Sequence, residues 1–276
     1  EEAFHTLMQE QKERARAARS DLSSWDSGSD GALSGIAATQ FTGYTEDSTE
    51  STVLAVLVDG ERCGAVSEGE CSIILDKTPF YGEGGGQVGD TGTITTPEGS
   101  AAVLDTKKAN GVFVHVCKML SGVIQERDSV TACIDRERRQ AIRRNHSGVH
   151  LLQAALRQVL GDHVEQAGSY VDEERLRFDF SHFSALTPEE LTQVEKLVNE
   201  NILAAHPIDT METDIETAKR AGALALVGEK YGKTVRVVKM GEFSTELCGG
   251  THTDNTGKLG LFKILSETSV AAGVRR

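Results

Sequence analysis

The stretch VTACIDRERRQAIRRNHSGVHLLQAALRQVLG, residues 130–161, holds the change of pattern that decides the fold. Val130 to Ile134 form a short β-type run. From about Arg136 the spacing becomes helical: Ile142, His146, Val149, Gln153, Leu156 and Leu160 recur three or four apart, and Gly161 supplies a stop. Asp135 therefore divides a β-rich part from one that opens with a helix.

Upstream lie further β-type runs at Val53 to Val58, Cys71 to Leu75, Ala101 to Leu104 and Val112 to Cys117. Turn signals such as Asp59-Gly60 and Pro97-Glu98-Gly99 separate them, and no helical pattern intervenes. Short strands at this spacing suggest a small antiparallel barrel or sandwich, taken here as a β-barrel domain over 39–135. Downstream, Thr187-Pro188-Glu189-Glu190 reads as a capping box opening a second helix with Leu191, Val194, Leu197, Val198 and Ile202 as its apolar stripe. A third helix is expected from near Thr213, ending before Gly222, and strands at Leu176 to Phe180, Thr234 to Met240 and Leu259 to Leu265. The fold class is α+β: a small antiparallel β-barrel followed by an α+β core over 136–276. At the other end, residues 1–20 read as a solvated helix of mixed charge, and 21–38, dense in Ser, Gly and Asp, as a linker.

Composition agrees with this division. The 276 residues are 38% hydrophobic and 26% charged, enough for two small cores. No run approaches the roughly 18 apolar residues of a membrane helix, and the charged first residues contain no apolar signal region, so a soluble, cytoplasmic protein with no membrane partner is expected. Five scattered cysteines in such a chain are expected to be reduced. The net charge of −13 argues against generic nucleic-acid affinity, because phosphate binding depends on Lys and Arg releasing counterions. An RNA partner must meet a local basic patch.

His146 and His150 stand four apart on the helix, so their rings project from adjacent turns of one face. Alone, such a pair reads more readily as core histidines with satisfied hydrogen bonds. Cys248-Gly249-Gly250-Thr251-His252 adds a thiolate and an imidazole around two glycines that let the backbone bend tightly, and Cys plus three His suits Zn2+. Four protein ligands would make a closed structural site; three would leave a position for water or substrate, with zinc polarising a carbonyl, lowering the pKa of water or orienting the substrate. The spacing leaves these open. Just ahead of the histidines, Arg136 to Arg144 contains five arginines against one acid. It reads either as a solvated helix start or as phosphate contacts, with Arg143, Arg144 and, from the far end, Arg275 and Arg276 as candidates. In Phe80-Tyr81-Gly82-Glu83-Gly84-Gly85-Gly86-Gln87-Val88-Gly89-Asp90, Gly84, Gly85, Gly86 and Gln87 could cradle an RNA backbone, or simply connect barrel strands. The adjacent aromatic pair could stack a base. No Lys-Ser/Thr is present after the glycines, so it is not a P-loop.

Asn145 to Leu152 together with Cys248 to His252 resembles the HxxxH and CxxxH signature of alanyl-tRNA synthetase editing domains and their free-standing relatives. The likeness extends to Phe80 to Gly92, Arg177 to His182 and Gly273 to Arg276, covering about residues 39 to 276. It implies that His146, His150, Cys248 and His252 form a zinc site in an editing core, and that Gln166 lies in the amino-acid pocket; Gln166 and Thr251 are then the candidates to hydrogen-bond a serine side chain or fix the ester. The expected function is hydrolysis of seryl and glycyl esters of tRNA for alanine, releasing serine and glycine. The parent enzyme would ligate alanine to that tRNA with ATP in a domain that has no counterpart here. The N-terminal helix would then end a preceding tRNA-recognition region, and the remainder of a synthetase chain would be a partner. Two departures stand out: small Gly148 sits between the histidines, and the chain stops at Arg276 where the family usually continues into another strand. Two other readings fit: the editing domain of a threonyl-tRNA synthetase, and a non-catalytic tRNA-binding module with a structural zinc. A general HExxH hydrolase is disfavoured, because Ser147 stands where the Glu would be.

Overall fold

Alternation of buried and exposed side chains builds the first half. The computed structural model describes residues 31–224 and 232–276, so the helix expected over 1–20 and most of the linker lie outside the described residues. The barrel strands are β1 (Ser48–Val58), β2 (Glu61–Cys63), β3 (Glu70–Leu75), β4 (Gly92–Thr95), β5 (Gly99–Ala109), β6 (Val112–Gly122) and β7 (Ser129–Ile134). Antiparallel pairing runs β1–β3–β6–β5–β4–β7, and β7 returns to β1 through Ser129↔Thr52 to Cys133↔Ser48, which closes a six-stranded barrel. Closure leaves these staves no open edge. Two tight turns have positive φ at both central residues, Asp59-Gly60 and Asn110-Gly111, as right-handed strand twist favours.

The barrel interior is filled by Val53, Val56, Ile73, Leu75, Phe80, Ile94 and Ile124, all essentially inaccessible. Each such side chain contributes about 1.5–3 kcal/mol on burial. Leu33, inside the expected linker, packs on the outer surface against Ala55, Leu57 and Ile74. The sixth stave, β4, was not among the expected strands: Gly-Thr-Ile-Thr offers one buried apolar residue, Ile94, and no visible alternation.

Helix α1 (Arg136–Leu160) leaves the barrel directly from β7. Asp135 caps it by accepting from Arg138 N at 3.0 Å, and Gly161 ends it at φ 114. Strands β8 (Gln166–Val171) and β9 (Leu176–Ser181) come after it, then α2 (Pro188–Leu203) with the expected capping box between Thr187 and Glu190. Next are β10 (Ile208–Asp214), the short α3 (Ile215–Arg220), β11 (Thr234–Met240), β12 (Ser244–Leu247), β13 (Ser269–Ala271) and β14 (Val274–Arg275). The cap of α3 is Asp214 rather than Thr213, its carboxylate accepting from Thr217 N at 2.9 Å. The second core joins α1 and α2 to the sheets β8–β9–β14–β13 and β10–β11–β12 through Ile142, Leu151, Phe178, Phe180, Val198 and Met240.

One expected strand is corrected. Leu259 to Leu265 joins no sheet: a 3-10 turn ends at Leu259, and the chain beyond it is extended against α2. Its backbone N–H groups find side chains instead of a strand, Phe262 N donating to Asn199 Oδ1 at 3.0 Å and Ile264 N to Glu195 at 2.9 Å. Alternation survives, with Leu261 and Leu265 exposed while Phe262 and Ile264 face the core. Periodicity alone cannot distinguish a helix from a strand as the partner.

Barrel and core are locked together at α1. Arg139, fully buried, ion-pairs with Asp90 and donates to the carbonyls of Gly43 and Pro79, both at 2.8 Å. Val88 N and Val171 O, and Val171 N and Gly86 O, bond the glycine-rich loop to the edge of β8 at 3.1 and 2.8 Å.

A candidate metal centre in the cleft between barrel and core

One face of α1 carries His146 and His150 toward the turn after β12, where Cys248 and His252 arrive. One ligand atom from each of the four lies within 4.8 Å of the others. Cys248 Sγ is 3.4 Å from His146 Nε2 and 3.3 Å from His252 Nε2. A tetrahedral zinc with the usual Zn–N and Zn–S lengths has edges of roughly 3.3–3.6 Å. Gly250 is required by this packing, because a Cβ there would fall 2.0 Å from the His146 ring.

Each imidazole is held by its inner nitrogen. His150 Nδ1 bonds the buried Glu246 at 2.7 Å; a carboxylate only accepts, so Nδ1 carries the proton and Nε2 points into the cluster. That Nε2 is buried with no hydrogen-bond partner, the vacancy a metal ligand would leave. His146 Nδ1 bonds Gln87 Oε1 at 2.7 Å, and since the same oxygen accepts from Thr251 N at 3.0 Å, His146 also presents Nε2. His252 Nδ1 lies 3.2 Å from Ser147 Oγ. The donor set and its outer partners thus fit a metal ion.

The charges around Cys248 point the same way, whereas those around His150 hold a proton that a metal would have to displace. Burial alone would push the Cys248 thiol up, but His146, His252 and His150 around it hold it well below its ordinary value, toward the thiolate a metal needs. Burial drives His252 down to about 3, and it also opposes the charge of His150, where Glu246 and Cys248 prevail and raise it to about 10.

The cluster opens on a cleft of about 590 Å³ lined by His146, His150 and Cys248, by Gln166 and Ser169 of β8, and by Gly84 and Gly85. Gln166 Nε2 donates to Ser169 Oγ at 3.2 Å. Thr251 is buried beneath the loop, its hydroxyl accepting from Gln87 Nε2 at 3.0 Å. Gln87 itself is fully buried, so within the glycine-rich segment it holds ligands while Gly84 and Gly85 face the cleft. Gly86 permits that turn, since with φ +80 its Cβ would meet Ser169 Oγ at 2.2 Å.

The arginines divide. Arg139 is structural, Arg138 bonds Gly89 O at 2.8 Å and pairs with Glu173, and Arg136 pairs with Asp47. Arg143 is half-buried and lies 3.4 Å from Gly43 O, whereas Arg144 is exposed. Arg275 pairs with Glu267, and Arg276 with Asp179 at 2.7 Å. Spacing did not reveal Glu246 or Ser147 as partners of the ligand histidines. A signal existed for Glu246, which stands two residues before Cys248 where β12 ends, the spacing that repeats a face in extended chain.

A family model for class II (A) tRNA synthetases matches residues 1–138, half of the chain, and one for the second additional domain of threonyl and alanyl tRNA synthetases matches 235–276. The chain is 48% identical to alanine–tRNA ligases from Pelotomaculum thermopropionicum and Desulforamulus reducens over its whole length, and 47% identical over 99% to that of Caldicellulosiruptor saccharolyticus. The chain belongs to the alanine–tRNA ligase family. It spans about a third of the length of these curated relatives, 31–32% of each. In this alanine–tRNA ligase sequence carrying the second additional domain, the two pairs that could hold a metal ion stand in two places: His146 and His150 on α1, and Cys248 and His252 inside the matched 235–276. Among its described residues no helix is long and apolar enough to cross a membrane.

Proposed function

We propose that this chain is the editing unit of an alanine–tRNA ligase, hydrolysing the ester that joins serine or glycine to the 3′ end of tRNA for alanine. The observation that carries the reading is the set of four convergent donors, three of them backed by buried side chains, beside a cleft wide enough for an amino-acyl ester. Such a site answers a physical need, because a charging pocket for alanine cannot exclude smaller glycine and rejects an added hydroxyl poorly. His146, His150, Cys248 and His252 would hold zinc, which when bound supplies Lewis-acid chemistry at the ester carbonyl. Gln166 and Ser169 line the same cleft, and the Gln166 amide would hydrogen-bond a serine hydroxyl. Thr251 contributes through Gln87, which fixes His146. Exposed Arg144 is available for acceptor-end phosphate.

Deacylation of seryl-tRNA for alanine by this chain, with zinc content measured in parallel, tests the proposal: seryl-tRNA left intact by wild type would end it, and equal rates for wild type and Cys248→Ala would end its zinc-site part. The same four donors support a second reading, a tRNA-binding module with a closed structural metal. Visible spectra of the cobalt-substituted chain report the ligand number, and four protein ligands without ester cleavage favour that reading.

A further inference from the structure

Half of the cleft is not used by the ester chemistry. Past the Cys248-Gly249-Gly250 loop its wall is aromatic, with Phe41, Tyr44 and Tyr81 all lining the opening. Tyr44 Oη donates to Gly249 O at 2.6 Å, which sets this ring beside the metal loop. Phe41 meets Tyr44 edge-on at 4.9 Å and Tyr81 at 6.1 Å, and stacks on Phe113 at 5.6 Å. At the outer end Lys108 Nζ lies 5.3 Å over the Phe113 ring. Neighbouring Lys107 is consumed by Glu83 and Asp105, whereas exposed Lys108 makes no ion pair among the described residues. Arg236 ties the wall to the loop: its guanidinium covers Tyr44 at 4.2 Å and bonds the carbonyls of Cys248 and Gly250 at 3.1 and 2.9 Å.

We infer that this aromatic half binds the terminal nucleoside of the RNA, its base against Tyr44, Phe41 and Tyr81 and its 5′ phosphate at Lys108. The inference rests on the aminoacyl-ester reading above and names what holds the rest of that substrate. The one cleft joins donor side chains, an aromatic wall and an exposed lysine, the three kinds of contact that the acyl group, nucleoside and phosphate of a 3′-aminoacylated strand call for. Aromatic walls take any base by its face, and a cation at the far end adds salt-sensitive phosphate affinity. In a chain of net charge −13, a single unpaired lysine placed there contributes where distributed charge cannot.

Titration calorimetry on the zinc-loaded chain tests this with three probes: serinamide, 3′-(serylamino)-3′-deoxyadenosine, and the same amide extended by a 5′ cytidylyl nucleotide. None of them is an ester, so binding is read apart from hydrolysis. The nucleoside amide should bind at least about tenfold more tightly than serinamide, and Tyr44→Ala should remove roughly 5- to 100-fold of that affinity. Tyr44→Phe, which keeps the ring, should retain it. Lys108→Ala should weaken only the dinucleotide, and this exposed position gives an arm independent of how well Tyr44→Ala folds. The inference is overturned if wild type binds the nucleoside amide no better than serinamide, or if Tyr44→Ala and Lys108→Ala bind all probes as wild type does. Failure of the editing reading looks different: seryl-tRNA stays intact with wild type, whatever the amide does.

Discussion

Two buried histidines, one in each half of the molecule, show what burial does and does not say about function. In the barrel, His115 is closed on both sides, Nδ1 on Ile73 O at 2.8 Å and Nε2 on Thr78 Oγ1 at 2.7 Å. In the core, His150 is equally inaccessible, but only Nδ1 is bonded and Nε2 faces three other donors. Burial drives His115 down to about 4; at His150 burial is outweighed by Glu246 and Cys248, and the ring rises to about 10. A satisfied imidazole is a core residue. One with an unbonded nitrogen facing three further donor groups is a candidate ligand.

The comparison breaks most visibly by removing a donor. Cys248→Ala should lower metal affinity by more than about 100-fold, exceeding what loss of an outer-shell partner costs. Zinc content after dialysis checks this, and an unchanged content would place the metal elsewhere. The barrel strands should keep their circular dichroism signature, because Cys248 lies outside the barrel core.

Next in size is the lock between the halves. Arg139→Ala strands the Asp90 carboxylate in a buried site, which typically costs about 3–5 kcal/mol. For a chain of this length the melting temperature should drop by on the order of 10 °C. Calorimetry would count against the lock if the loss stayed near 1 kcal/mol, the range of an exposed pair.

Arg139 also shows how far the residues could be read without coordinates. The run from Arg136 to Arg144 looks like one basic patch, yet a helical turn divides it between solvent and the barrel junction, and only packing reveals which arginine goes inside. Both halves of the fold were legible, since alternation and helical spacing are local. The convergence of the four donors was legible because such residues are few in kind and fixed in spacing, and the family likeness then joined the two pairs. The sixth stave, β4, was not, since a four-residue strand opening on glycine has too little pattern. Gln87 was readable only as part of a glycine loop; its bonds to His146 and Thr251 span 59 and 164 residues, and no local rule carries that far.

The barrel histidine gives a smaller, pH-dependent effect. His115 is lowered from 6.5 to about 4, so between those values the unfolded chain takes up a proton that the folded chain refuses. Stability should therefore fall as pH drops from 6.5 toward 4, by up to about 3 kcal/mol from this group, and level off below. Urea unfolding of wild type and His115→Gln at pH 7 and pH 4.5 isolates it: the gap between the two should narrow in acid. A constant gap means that the ring is not held neutral.

Smallest, and most specific to the core, is the charge behind His150. Glu246→Gln keeps an oxygen to accept from His150 Nδ1 and an amide that can still meet Ser244, whose hydroxyl lies 3.0 Å from Glu246 Oε1, so the fold and ring orientation should survive. What disappears is the negative charge that makes the imidazole a stronger donor to a cation. Metal affinity should fall about tenfold, the low end of the range for such partners, equivalent to roughly 1.4 kcal/mol. Zinc titration against a competing chelator measures it. An unchanged affinity would mean that Glu246 serves only to satisfy a buried N–H, as Ile73 O does for His115, and the contrast between the two histidines would then lie in the bare Nε2 alone.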